Sequence, residues 1–159
     1  MTVLEIARLF SRPFFSVKDT GLTYRTINHY EEKQLFTTDR EQQSKWRKFN
    51  GFEMIWIKTI EILRKLGSPI KNIQELRGKI HSSVLLNVEP NDFNLTHFEF
   101  EVTSALAHDQ EKYLVIYEDL SISYYSGNDE VWNTIFREEA FLCIPLGKIA
   151  KEIYRQAST

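Results

Sequence analysis

The sequence is poor in residues that staple small folds or hold metals. Cys143 is its only cysteine. A lone thiol closes no disulfide within the chain, a usage that suits a reducing compartment. One cysteine among four histidines also excludes the common cysteine-rich zinc sites. Long apolar runs are missing as well: the longest, Tyr113–Tyr117 and Ala140–Ile144, are five residues each. A membrane-spanning helix takes about 20 apolar residues, so none is expected. Glu5 and Arg8 interrupt the stretch that a signal peptide would keep hydrophobic, so none is expected there either. There is no low-complexity tract and no repeat at a period of roughly 20–50 residues. Nucleophile elbow, P-loop, dinucleotide fingerprint and zinc-hydrolase helix are all absent. Glu118-Asp119 and Glu138-Glu139 are sequence neighbours, whose side chains diverge on a strand or a helix. Neither an enzyme nor a cofactor is expected.

What remains is ordinary globular material with an uneven charge. The chain has 159 residues, 42% apolar, 26% charged and 13% aromatic, enough for one domain or two small ones. The net charge of −2 divides into +6 over residues 1–79 and −8 over residues 80–159. A basic half attracts a polyanion and an acidic half avoids one. The same division is equally that of ordinary surface charge, unevenly spread.

Apolar spacing predicts the elements. Residues 1–12 read as an amphipathic helix through Val3, Leu4, Ile6, Leu9 and Phe10, ended at Pro13. Residues 14–36 read as two short helices around Gly21, with Thr23 capping the second and Ile27 and Tyr30 on its inner face. Lys45 to Phe49 alternates basic and aromatic residues, as a short strand or β-ribbon does. Asn50 with Glu53 starts a long helix through Phe52, Ile55, Trp56, Ile60, Leu63 and Leu66, and Gly67 ends it. Ser68 as cap and Pro69 as first helical residue open another helix through Ile70, Ile73 and Leu76. Beyond a boundary in 80–94, the reading is a loop at Pro90–Asp92, a helix over Phe93–Ala107, and a hairpin of Tyr113–Tyr117 with Ile122–Tyr125. A short helix at Val131–Arg137, a strand at Phe141–Ile144 and an amphipathic helix at Leu146–Ile153 complete it. The predicted fold class is a mainly α N-terminal domain, residues 1–80, followed by a small α+β domain, residues 81–159.

The order of helix-turn-helix, basic ribbon, long helix, glycine turn and short helix resembles the DNA-binding domain of the MerR family of bacterial transcription regulators. Residues Thr20-Gly21-Leu22-Thr23-Tyr24-Arg25-Thr26-Ile27-Asn28-His29-Tyr30-Glu31-Glu32 carry the likeness. So do Leu35, Arg40, Trp46-Arg47-Lys48-Phe49, and Leu63-Arg64-Lys65-Leu66-Gly67 with Ile70 and Ile73. The likeness covers about residues 18–77. Lys45 stands where the family has a wing glycine, and no sustained heptad follows Leu76 where members continue into a dimerising coiled coil.

The resemblance implies a winged helix-turn-helix that regulates transcription in the cytoplasm. It also implies a homodimer on double-stranded DNA that bends and untwists its promoter. Thr23, Tyr24, Arg25, Asn28 and His29 then fall on the recognition helix, facing the major groove. Arg40, Lys45, Arg47 and Lys48 fall on the wing, where they grip phosphates. Each also has an ordinary reading: Arg25 paired with Glu31 or Glu32, the wing a solvated hairpin tip. Tyr113, Tyr117, Tyr124, Tyr125 and Trp132 either line a pocket for a small-molecule effector or form the core of the acidic half. Cys143 reads as a small core residue. Two other readings remain: a DNA-binding architectural or recombination-accessory protein of excisionase type, and an interaction module that has lost DNA.

Overall fold

A computed structural model describes residues 1–36, 47–82, 84–88, 93–127 and 140–158. Helix α1 (Val3–Phe10) opens on a capping box, in which Thr2 accepts from the Glu5 N–H and Glu5 returns to the Thr2 N–H. Its Ile6, Ala7 and Phe10 are buried. The segment expected to begin the helix-turn-helix is shorter as a helix than its apolar residues suggest. Phe15–Ser16 is a strand, β1, and only Val17–Thr20 is helical, as α2. Phe14 is exposed. Gly21 follows at φ +75°, a left-handed turn that side chains resist. Helix α3 (Tyr24–Glu32) then starts at the Thr23 cap.

Residues 37–46 lie outside the described residues, with Arg40, Lys45 and Trp46 among them. Strand β2 (Lys48–Phe49) brings the chain back antiparallel to β1, pairing Phe49 with Phe15 and Lys48 with Ser16. Helix α4 (Gly51–Lys65) is the central rod of the molecule. It starts on the Asn50–Glu53 capping box and buries nine residues, Trp56 among them. Its end is a Schellman turn around Gly67 at φ +86°, in which Gly67 N–H bonds the Arg64 carbonyl and Ser68 N–H the Leu63 carbonyl. Helix α5 (Ile70–His81) follows with Pro69 rather than Ser68 at its cap, so it starts one residue later than the sequence pattern places it.

The C-terminal part differs from expectation at its start. Residues 93–107 are not all helix. Strand β3 (Val84–Val88) pairs antiparallel with β4 (Phe93–Thr96), and helix α6 spans His97–Ala107. The sequence shows why: Thr96 and Glu99 form a capping box, so the helix starts at His97 and what precedes it stays extended. Strands β5 (Lys112–Tyr117), β6 (Ile122–Ser126) and β7 (Phe141–Ile144) form an antiparallel sheet in the order β6-β5-β7. Val131–Arg137, predicted helical, lies outside the described residues. Helix α7 (Leu146–Ala157) runs a turn beyond its predicted end. Cys143 is only half-buried, opposite Val115, and partial burial pushes its thiol pKa up.

Helical N-terminal elements and a later α+β part are therefore present as expected, and one apolar cluster runs through both. It includes Ile6, Phe10, Ile27, Trp56, Ile73, Phe98, Ile116, Leu146 and Ile153. Helix α1 packs on α6, while α7 lies against α4, α6 and β5. The Phe10 ring sits edge-on to Phe52 at 5.5 Å and beside Tyr154 at 6.3 Å, tying both ends of the chain to α4.

Candidate nucleic-acid interface

Helix α3 is held by its buried side and presents the other. Ile27 is fully buried and Tyr30 nearly so, as the three-residue spacing requires. Tyr24, Arg25, Asn28 and His29 are exposed along the opposite side. Thr23 accepts from the Thr26 N–H at 3.1 Å, and the two hydroxyls lie 2.9 Å apart. Thr23 is thus engaged as the cap, at the lip of the exposed face.

The helix in front is locked at both ends. At its start, the Asp19 carboxylate accepts from the Ser16 N–H and hydroxyl, both at 2.7 Å. Those two bonds, with Lys18 and Lys48 nearby, hold the Asp19 pKa below the usual carboxylate range. At its end, Lys58 of α4 donates to the Thr20 carbonyl at 2.9 Å. The turn between α2 and α3 therefore rests on α4.

The chain leaving α3 is clamped at three successive carbonyls. Gln74 of α5 donates to Lys33, Arg77 of α5 to Gln34, and the Trp56 indole N–H to Leu35, at 2.6, 2.7 and 2.7 Å. Sequence reading assigned none of these side chains a role at the site. Trp56 and Gln74 fall on helices whose periodicity shows only which residues face inward.

The expected wing residues divide. Arg40 and Lys45 lie outside the described residues. Lys48 is exposed on β2. Arg47 is mostly covered: its guanidinium donates to the Asn28 side-chain oxygen and, at 2.5 Å, to the Glu31 carboxylate. Glu31, one of the two carboxylates that the sequence offers as a partner for Arg25, accepts from Arg47.

Residues 17–79 match the family model of the MerR HTH family regulatory proteins. These residues form a MerR-type helix-turn-helix domain. The match runs from the first residue of α2 into the last turn of α5, so it takes in the turn, α3, α4 and the clamping side chains. No curated protein matches the chain. β3 and all that follows it lie beyond the MerR-type match. Among the described residues no helix is long and apolar enough to cross a membrane.

Tyr113 and Tyr125 stand opposite each other across β5 and β6, on the face they share with Tyr117, and Tyr124 lies on the other face of the sheet. Tyr117 and Tyr125 join hydroxyls at 2.9 Å, Tyr113 donates to Glu111 at 2.9 Å, and Tyr124 packs on His97 with ring centres 4.5 Å apart. Trp132 is outside the described residues. A cleft of about 580 Å³ opens beside Lys79, His97, Ser123, Tyr124 and Tyr125.

Proposed function

We propose that the protein is a sequence-specific DNA-binding transcriptional regulator of MerR type. Helix α3 enters the major groove, and the basic segment after it lies on the sugar–phosphate backbone. The exposed row of Tyr24, Arg25, Asn28 and His29, on a helix anchored by Ile27 and Tyr30, is the observation that carries this reading. Arg25 has the reach to fork onto a guanine, and Asn28 and His29 hydrogen-bond base edges. Thr23 and Tyr24 contact the backbone or a thymine methyl. Arg40, Lys45 and Lys48 hold phosphates, positioning the helix without specifying a base, while Arg47, read from the sequence as a fourth phosphate contact, is turned to Asn28 and Glu31.

Residues 1–80 are the DNA-binding part of this regulator. Residues 81–159 serve dimerisation or receive a small-molecule signal, and the cleft beside His97 and Tyr124 is the place such a signal would sit. The protein acts in the cytoplasm, as a homodimer and without cofactor or catalytic activity. In the described residues α5 ends at His81 and β3 begins at Val84, so the dimer contact is made by something other than a long extension of α5.

Fluorescence anisotropy over a salt series tests this, using duplex from upstream of the protein's own gene and random duplex. The expected result is tighter binding to the upstream duplex, with two chains per duplex. The logarithm of affinity should fall steeply with that of salt, by roughly 0.9 per phosphate neutralised. Arg25→Ala should weaken specific binding on the order of tenfold or more. Equal affinity for both duplexes would point to an architectural protein instead. No binding to either at low salt would overturn the reading.

A further inference from the structure

We propose that Arg47 is a positioning residue: it ties the basic ribbon to the recognition helix before DNA arrives, and acts on binding through α3 instead of through a phosphate. The inference rests on α3 lying in the major groove. Arg47 stands directly ahead of β2, at the root of the ribbon, where Lys48 and Phe49 pair with Ser16 and Phe15. Its side chain crosses from there to α3. One terminal nitrogen donates to the Asn28 side-chain oxygen, and the other to the Glu31 carboxylate at 2.5 Å. Asn28 and Glu31 are neighbours one turn apart on the helix. The fork therefore lies along α3, and a slide or roll of the helix against β2 breaks at least one arm.

Charge and burial point the same way. Affinity gained at a phosphate comes from a positive charge that displaces counterions. Arg47 already shares its charge with Glu31, so the pair presents DNA with no net charge. Only 13% of the Arg47 side chain and 23% of that of Glu31 are exposed, so both are largely withdrawn from the surface a backbone would lie on. Lys48, the next residue, is exposed and keeps the phosphate role. What the Arg47 fork supplies is geometry. Specific binding needs α3 in the groove and the ribbon on the flanking backbone at the same time. A ribbon already tied to the helix spends no binding energy on ordering the two. Random duplex, held by charge alone, makes no such demand.

The test uses the full chain, with anisotropy on the upstream and random duplexes over a salt series. Arg47→Met keeps an apolar stem and removes both arms. It should weaken upstream binding on the order of tenfold, weaken random binding less, and leave the salt slope unchanged. A slope shallower by roughly 0.9 would make Arg47 a phosphate contact and overturn the inference. Equal weakening on both duplexes at unchanged slope would make Arg47 a part of the fold only, and overturns it too. Should Arg47→Met fail to fold, Glu31→Ala decides the matter. It removes the acceptor of one arm and a negative charge beside the DNA. A phosphate-binding Arg47 would then gain on both duplexes alike, and that result overturns the inference. The tie to α3 predicts a ratio of upstream to random affinity lower by about threefold or more. Wild-type protein that binds neither duplex, or both alike, overturns the underlying reading instead.

Discussion

The His81 ring stands edge-on to Trp56, with ring centres 5.7 Å apart, and 6.0 Å from Phe98. The residue as a whole is exposed, but the ring's apolar neighbours disfavour its charged form, and Arg77 adds repulsion. Together they push its pKa down to about 4. In the unfolded chain the imidazole takes up a proton near pH 6.5. Between these values the unfolded state binds more protons, so stability rises with pH. We expect urea-unfolding stability to be flat above about pH 6.5 and to decline from there towards pH 4. His81→Gln should remove that slope, leaving the losses at lower pH that come from carboxylates such as Asp19. An unchanged slope in the variant would show that the ring is not held neutral. Arg47 illustrates the residue scale in another way. Its place in a basic, aromatic-rich run was legible in the sequence; its partners, 19 and 16 residues away, were not.

At the scale of elements, caps were the most informative local signal. Asn50 with Glu53, Thr23 and Gly67 each mark a real helix boundary, because a cap is satisfied by residues a few positions away. The same logic reads Thr96 with Glu99 as the start of α6, a signal that apolar periodicity alone overran. The turn after α3 is less regular. It closes as a Schellman turn, with Gln34 N–H on the Glu31 carbonyl and Leu35 N–H on that of Tyr30. Its left-handed residue is Gln34 at φ +55°, where a side chain is strained. Gln34→Gly should raise stability by about 0.5–1 kcal/mol, the relief of that strain less the larger unfolded-state entropy of glycine. Chemical denaturation would show this as a higher midpoint at unchanged slope. A lower midpoint would mean that the Gln34 side chain contributes more than its backbone costs. The clamps from Trp56, Gln74 and Arg77 fix the three carbonyls that this turn leaves outward.

On the whole-molecule scale, the MerR-type segment shares its core with the rest of the chain. α1 rests on α6 and α4 on α7, so removal of the C-terminal part exposes Ile6, Phe10 and one side of α4 to water. A fragment ending at residue 82 should therefore lose cooperative thermal unfolding and native-like amide dispersion, even though it contains every residue proposed to touch DNA. A fragment that melts cooperatively and keeps sharp, dispersed NMR signals would show that residues 1–82 close a core of their own. In the full chain, the shared core gives a change in the acidic half a physical route to α3, through α4 and the α5 side chains that clamp its end.

The sequence by itself determined the local chemistry: which of the described helices form, where most of them start and stop, which face of α3 is buried, and the likeness to a MerR-type domain. Caps, glycine turns and apolar spacing act over a few residues, so one chain carries them openly. Tertiary structure alone decided that Arg47 meets Asn28 and Glu31, that Trp56, Gln74 and Arg77 hold the end of α3, and that α1 and α7 join one core. Those contacts bring together residues 16 to 43 positions apart or more. They depend on how helices stack, which neither composition nor periodicity encodes.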